Sequence, residues 1–444
     1  MRACSAILVL VGLPMGCGPL NTVHEEPLLE DDYYAPQRIV YEDRTYDPQV
    51  RAVQLFPRGV ELAPPIIALN TDDVLELHFD DLLSIGAATA PEARTLSYTI
   101  VHCDAHWVPT GIAHNVAVEG AMADYLPPPR QSFGVRQPYL HYQLTIPNAM
   151  MRPRISGNYI LLAYGDDPGD PLLTRRFMVA EQQIQIDASV RASRNVELRD
   201  VQQQVDLTLH HPGFPIADPF GDLEVVVLQN MRWDDARHGL RPRFVRDTEL
   251  IYDHPAEALF NGGNEWRQLR AWSTRYQNIG VQRISADGPL VEFFLAPDAR
   301  RTISMYVDAP DRNGKWSPRT DDGRDPNLEA DHVWVNWQLP LDAPITGGEV
   351  YVYGEVTDMQ CKREFRCTWD PQGRRYVLRA FIKQGAIDHC FAFLPDSSDV
   401  PDLGRAEGSH YQTENDYLIL VYFNDVRLRA HRLVGVRLLN SRRG

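Results

Sequence analysis

The segment His102-Cys103-Asp104-Ala105-His106-Trp107 carries the most suggestive chemistry in the chain. In a strand, residues 102, 104 and 106 share one face, which sets His, Asp and His together. That donor set suits zinc. The plainer reading is a polar edge with alternate residues facing solvent, and it is preferred. His210-His211 precede a proline and mark a strand end. Asp308-Ala-Pro-Asp-Arg-Asn-Gly314 has part of a calcium-loop spacing but lacks the distal glutamate of an EF-hand, so a turn at Asn313-Gly314 explains it more simply. Asp80-Asp81 and Asp321-Asp322 could pair for acid–base work. With 60 acidic residues, such neighbours arise by chance. Met231-Arg-Trp233, Glu265-Trp266-Arg267, Trp272 and Tyr276 join flat rings to Arg, the composition of a contact patch, a sugar platform or a packed core.

Local signatures of phosphate loops, nucleophile elbows and His-Glu-x-x-His metalloenzymes are missing. No catalytic residue, cofactor or metal site is therefore expected. The net charge of −16 argues against nucleic acid, whose phosphates require Lys and Arg. It also argues against a basic patch on anionic lipid. Only Lys315, Lys362 and Lys383 are lysines.

The elements that must position these residues read as strands. Leu75, Leu77 and Phe79 alternate with polar neighbours, as do Ile184 and Ile186, Val205, Leu207 and Leu209, and Val333, Val335, Trp337 and Leu339. Alternation means one buried face. Tyr159-Ile-Leu-Leu-Ala-Tyr164, Val225-Val-Val-Leu228 and Tyr417-Leu-Ile-Leu-Val-Tyr-Phe423 are apolar throughout, which predicts central strands buried on both sides. The 33 prolines favour loops and sheet edges over helices. Short helices are expected only near Glu119–Leu126 and Asp234–His238. The fold class is all-β, as tandem immunoglobulin-like or jelly-roll sandwiches.

The chain divides into a signal peptide at 1–17, an acidic flexible tether at 18–50, and sandwiches at 51–182, 183–342 and 343–444, the last immunoglobulin-like or E-set-like. The apolar run Ala6–Leu13 suits a signal-peptide core and is too short to span a bilayer. Gly16-Cys17 fits a lipoprotein signal, so Cys17 is the candidate lipid anchor of an exported protein. In an oxidising compartment Cys361 and Cys367 could staple a hairpin, with Cys390 as alternative partner and free thiols as the other outcome.

Several segments together carry a resemblance. They are Ser156-Gly-Asn-Tyr-Ile-Leu-Leu162, Thr174-Arg-Arg-Phe-Met-Val179, Val227-Leu-Gln-Asn-Met-Arg-Trp-Asp-Asp-Ala236, Leu250-Ile-Tyr-Asp253, Phe260-Asn-Gly-Gly-Asn-Glu-Trp-Arg267, Val350-Tyr-Val-Tyr-Gly-Glu355 and Glu407-Gly-Ser-His-Tyr-Gln-Thr-Glu-Asn-Asp-Tyr417. The pattern, from Arg51 to Gly444, resembles the plug family of the type IX secretion system of Bacteroidota. The resemblance implies a non-catalytic protein on the periplasmic side of the outer membrane. It would close the periplasmic mouth of the giant β-barrel translocon when no substrate is bound. The alternative is a carbohydrate-binding envelope lipoprotein, whose third body would stack sugars on Tyr351, Tyr353 and Trp369.

Overall fold

The computed structural model describes residues 39–254, 256–276, 278–302, 304–320 and 324–442. The signal peptide, Cys17, the tether as far as residue 38, and Asp321-Asp322 lie outside the described residues. The all-β expectation holds. Leu75, Leu77 and Phe79 are buried in the strand Leu75–Asp81, and Val205, Leu207 and Leu209 in Gln202–His210. Val333, Val335, Trp337 and Leu339 are buried in His332–Pro340.

In the first body, one sheet runs Val50–Pro57, Leu75–Asp81, Leu140–Ile146, Arg130–Gln131. It faces a sheet of Arg44–Thr45, Pro171–Ala180, Gly157–Tyr164, Ser97–Cys103 and Asp124–Tyr125. Leu77, Phe79, Tyr98, Tyr159 and Phe177 fill the space between. Phe79 stacks on Tyr142 with ring centroids 5.0 Å apart.

The second body sets Gln185–Ala192, Gln202–His210, Glu249–Tyr252 and Phe244–Arg246 against a sheet of Leu223–Gln229, Asp416–Asp425 and Ala430–Asn440. Strand pairing thus crosses the division expected at 342/343: Val225 pairs with Val421, and Val227 with Ile419. The third body is an insertion between these halves. One of its sheets is Val281–Ser285, Glu292–Leu295, His332–Pro340, Arg375–Lys383 and Thr368–Asp370. The other is centred on Gly385–Pro395, which pairs with Arg267–Ala271, Trp316–Pro318 and Gly348–Tyr353.

The continuously apolar runs are the strands with two buried faces. Leu161 points into the first core while Ile160 points the other way. Val225, Val227, Ile419 and Val421 fill the second core. Their alternates Val226, Leu228, Leu418, Leu420 and Tyr422 pack with Ile160 and Met178 of the first body. Four sheets are therefore layered in succession, and each buried Leu or Val side chain contributes roughly 1.5–3 kcal/mol.

Two local expectations are corrected. Glu119–Leu126 is not helical: Val118–Gly120 pairs with Met151–Pro153, and Asp124–Tyr125 with Ser97–Cys103. Asp234–His238 is a turn, closed by a bridge between Arg237 and Val227. The tether also stops short of residue 50. Arg44–Thr45 lies in the first body's sheet, and Thr174 Oγ1 donates to the Glu42 carbonyl at 2.7 Å. The Asp43 carboxylate accepts the Arg176 N–H at 2.7 Å. These acidic residues complete a sheet edge instead of remaining in solvent.

Candidate functional site

The first and third bodies meet at a buried charge knot. Asp80, on Leu75–Asp81, is 0% exposed. Lys383, on Arg375–Lys383, places Nζ 2.7 Å from Asp80 Oδ2. The same ammonium donates to the Asn327 carbonyl at 3.1 Å and lies 4.5 Å from the centroid of the Tyr139 ring. His141 Nδ1 sits 2.7 Å from Asp80 Oδ1, and its Nε2 is 3.0 Å from His78 Nδ1. His332 Nε2 approaches Asp80 Oδ2 at 3.4 Å.

Burial alone would raise the Asp80 carboxyl, but Lys383 and His141 overcome it and hold the group below its usual range. Burial, then the neighbouring His141, lowers His78 to about 4. Burial lowers His332 to about 3, so both rings are neutral at pH 7. The Asp80–His141–His78 order has the form of a proton relay; His78 stacks against Phe56 at 5.3 Å and turns its other nitrogen to Glu76 at 3.7 Å. The Asp80 carboxylate and the Lys383 ammonium satisfy each other across the joint, which is what buried charges require, while the neutral His332 ring makes no hydrogen bond.

Further polar ties cross the bodies. Asp331 accepts the backbone N–H groups of Arg136 and Gln137 at 2.8 and 3.0 Å. Arg175 reaches Asp358 at 3.3 Å. A cleft of about 640 Å³ opens beside the knot, lined by residues that include Arg51, His332, Glu355 and Lys383. Burial pushes Glu355 up to about 7, and its carboxylate accepts the Trp316 N–H at 2.6 Å. With Lys383 held by Asp80, the cleft offers surface more than a free acid–base pair.

The two motifs most specific to the resemblance close on each other. A Cβ at Gly262 would lie 2.0 Å from the His410 carbonyl oxygen, so only glycine permits that approach. Asn415 Nδ2 donates to the Gly262 carbonyl and Thr413 Oγ1 to the Gly263 carbonyl, both at 2.9 Å. Asn264 Nδ2 donates to the Glu407 carbonyl at 2.8 Å. Glu407 is buried, where desolvation would raise it. Arg267, with both bonds at 2.9 Å, and Arg301 hold it below its ordinary value. Carboxylate oxygens of Glu265, Asp311 and Glu414 gather within 4.8 Å of one another nearby. Arg442 balances Glu265 at 3.2 Å. Burial, then repulsion from Asp388 and Glu265, pushes Asp311 up to about 7. Its carboxylate accepts the Asn313 N–H at 2.8 Å and the Trp266 N–H, capping a turn in which Asn313 and Gly314 have φ of 56° and 79°.

The residues nominated from sequence disperse. Ser97–Cys103 ends before Asp104, so His102, Asp104 and His106 do not share a strand face. His102 is buried, 3.0 Å from Thr110 Oγ1. Asp104 Oδ1 accepts the His106 and Val108 N–H groups at 2.9 Å each, and His106 projects outward. Cys103, Cys361, Cys367 and Cys390 are free thiols, so the bridge expected between Cys361 and Cys367 is not formed. The turn Arg363–Phe365 sends Cys367 into the third core, while Cys361 packs with Trp266, Tyr353 and Cys390. Trp107 meets Trp233 edge-on at 5.0 Å, with the Arg176 guanidinium 4.8 Å from the Trp107 ring. Trp272 and Tyr276 remain exposed. Tyr351 and Tyr353 are buried, and Trp369 packs edge-on against Tyr376 at 5.1 Å. Sequence reasoning missed Lys383. Its signal was a rare lysine closing the apolar run Ala380-Phe-Ile382.

Residues 50–181 match the family model described as type 9 secretion system plug protein 1st domain. This is the family that the sequence segments resemble, and the match covers the first body and relates the chain to type IX secretion. The crystal structure of a hypothetical protein from Parabacteroides merdae ATCC 43184 is similar at a TM-score of 0.86 and 28% identity, covering 91% of this chain and 100% of that one. A structure combining manganese lipoxygenase of Gaeumannomyces graminis with part of zonadhesin of Komagataella pastoris is 7% identical at a TM-score of 0.17, covering 89% and 93% of the two chains. The C-terminal domain of the Streptococcus pyogenes antigen I/II-family protein AspA also gives 7% and 0.17, over 88% and 99%. Neither of these last two carries an argument. No curated protein matches the chain.

Proposed function

We propose that this protein is a non-catalytic plug, occluding the periplasmic end of the type IX outer-membrane translocon when no substrate is bound. The observation that carries this reading is the match of residues 50–181 to the plug family's first domain. The architecture supports it in physical terms. A stopper must fill space without deforming, and close-packed interiors transmit strain instead of absorbing it. Here three sandwiches share one apolar seam between the first and second bodies and one buried charge knot between the first and third. Among the described residues no helix is long and apolar enough to cross a membrane. The partner is the giant β-barrel, and the location is the periplasmic side of the outer membrane. Lipid on Cys17 would keep the plug near its pore. A stable contact would bury upwards of ~1,200 Å² in total.

The carbohydrate-binding alternative is not favoured, because Tyr353 is 0% exposed and cannot stack on a sugar. Affinity purification from its own envelope in mild detergent tests the proposal. Recovery of a very large outer-membrane barrel is expected. Recovery of glycan with no secretion component would overturn it.

A further inference from the structure

We propose that His106, Glu224 and His238 form a binding site for one Zn²⁺ ion at the rim of the seam between the first and second bodies. The site does not depend on the plug reading. Glu224 Oε1 lies 3.0 Å from His106 Nε2 and 3.3 Å from His238 Nδ1. One donor atom from each residue lies within 4.8 Å of the other two. Zinc bonded tetrahedrally at about 2.0–2.1 Å spaces its ligand atoms about 3.3 Å apart. The two imidazole rings stack 4.9 Å apart at 25° with a nitrogen of each near the same oxygen, so a turn of one ring about its side-chain torsions brings both in-plane lone pairs onto one ion. Two histidines and a glutamate are a zinc donor set that leaves one position open.

Each ligand is held by its own surroundings. Asp104 fixes the His106 loop through the His106 and Val108 N–H groups, and the Ala105 N–H donates to His431 Nδ1 at 3.2 Å. Trp107, next in sequence, is anchored against Trp233. Glu224 stands on Leu223–Gln229, alternate with Val226 and Leu228, which pack onto the first body. His238 follows Arg237, whose backbone exchanges two hydrogen bonds with Val227 at 2.8 and 3.0 Å. The side chains of His106, His238 and Glu224 are 51%, 32% and 19% exposed, which leaves an entry path and room for water as fourth ligand. An ion here would clamp a loop of the first body to the second.

Without an ion, the same geometry is one histidine hydrogen-bonded to a carboxylate and a second in ionic contact with it, so stoichiometry decides. The full chain, free of any histidine tag and dialysed against EDTA, is titrated with Zn²⁺ against a chromogenic chelator at neutral pH. One equivalent is expected to bind. His106→Ala, His238→Ala and Glu224→Gln are each expected to raise Kd on the order of 100-fold, while keeping the parent's metal-free unfolding midpoint. Co²⁺ is expected to give the intense visible band of a four-coordinate ion, lost in the same variants. Zinc binding equally tight in all three variants, or no stoichiometric binding tighter than about 0.1 mM, overturns the proposal.

Discussion

The first body is joined to its neighbours in two physically different ways. Against the second body it lays Ile160 and Met178 on Val226, Leu228, Leu418, Leu420 and Tyr422, an apolar seam crossed by polar ties such as Tyr422 Oη to Asn158 at 2.8 Å and the Ala105 N–H to His431 at 3.2 Å. Against the third it sets Asp80 on Lys383 beside a small apolar cluster of Leu82, Tyr139, Leu290 and Phe381. The apolar seam gains from area and tolerates exchange of similar volumes. The charged joint gains little over a hydrophobic replacement, but it is costly to half-break.

Four measurements bear on this contrast. Lys383→Ala leaves Asp80 buried without its cation and is expected to cost about 3–5 kcal/mol in urea unfolding. A loss under about 1 kcal/mol would mean that the knot is solvated. Leu420→Ala removes a seam side chain that is 0% exposed, with an expected cost of about 3 kcal/mol through lost transfer and a residual cavity.

Acid should act on the knot through His78 and His332, and also at the edge of the seam through His102, which burial lowers to about 4 beside His431 of the second body. The unfolded chain protonates histidine near pH ~6.5, whereas folded His78 waits until about 4 and His332 until about 3. Between those limits the unfolded state binds more protons, so stability falls as pH falls, by about 1.4 kcal/mol per pH unit for each histidine. Asp80 has the opposite chemistry and the same direction. Its depressed folded value stabilises above the ordinary carboxylate range, and that contribution is lost as pH drops through the folded value. Thermal midpoints from pH 7 to 4 check this, and His332→Gln should flatten the curve by one proton. The smallest change is expected from Asp80→Asn combined with Lys383→Met, within about 1.5 kcal/mol of the parent. If the pair instead costs as much as Lys383→Ala, the joint is stabilising in its own right.

Strand periodicity carried the local structure. The alternation at 205–209 and 333–339 became one-sided strands, that at 75–79 carries buried His78 and Asp80 on its second face, and the runs at 159–164, 225–228 and 417–423 became strands with two buried faces. What periodicity cannot encode is which strand pairs with which. The register of Val225 with Val421 links segments far apart in the chain, and no local signal marks the third body as an insertion between them. The knot was hidden for the same reason, since Asp80 and Lys383 are 303 residues apart. The Gly262-Gly263 and Thr413–Tyr417 motifs were legible as a pattern. Their role, two loops closed on each other by backbone approach at Gly262, needed the geometry. His106 drew attention beside His102 and Asp104, yet its partners are Glu224 on a strand of the second body and His238 in a loop beside it.

The occlusion claim is tested most directly by single-channel conductance of the purified translocon barrel in a planar bilayer. Addition of this protein to the periplasmic side should close the open pore and do so reversibly. A conductance unchanged at saturating protein would contradict the account.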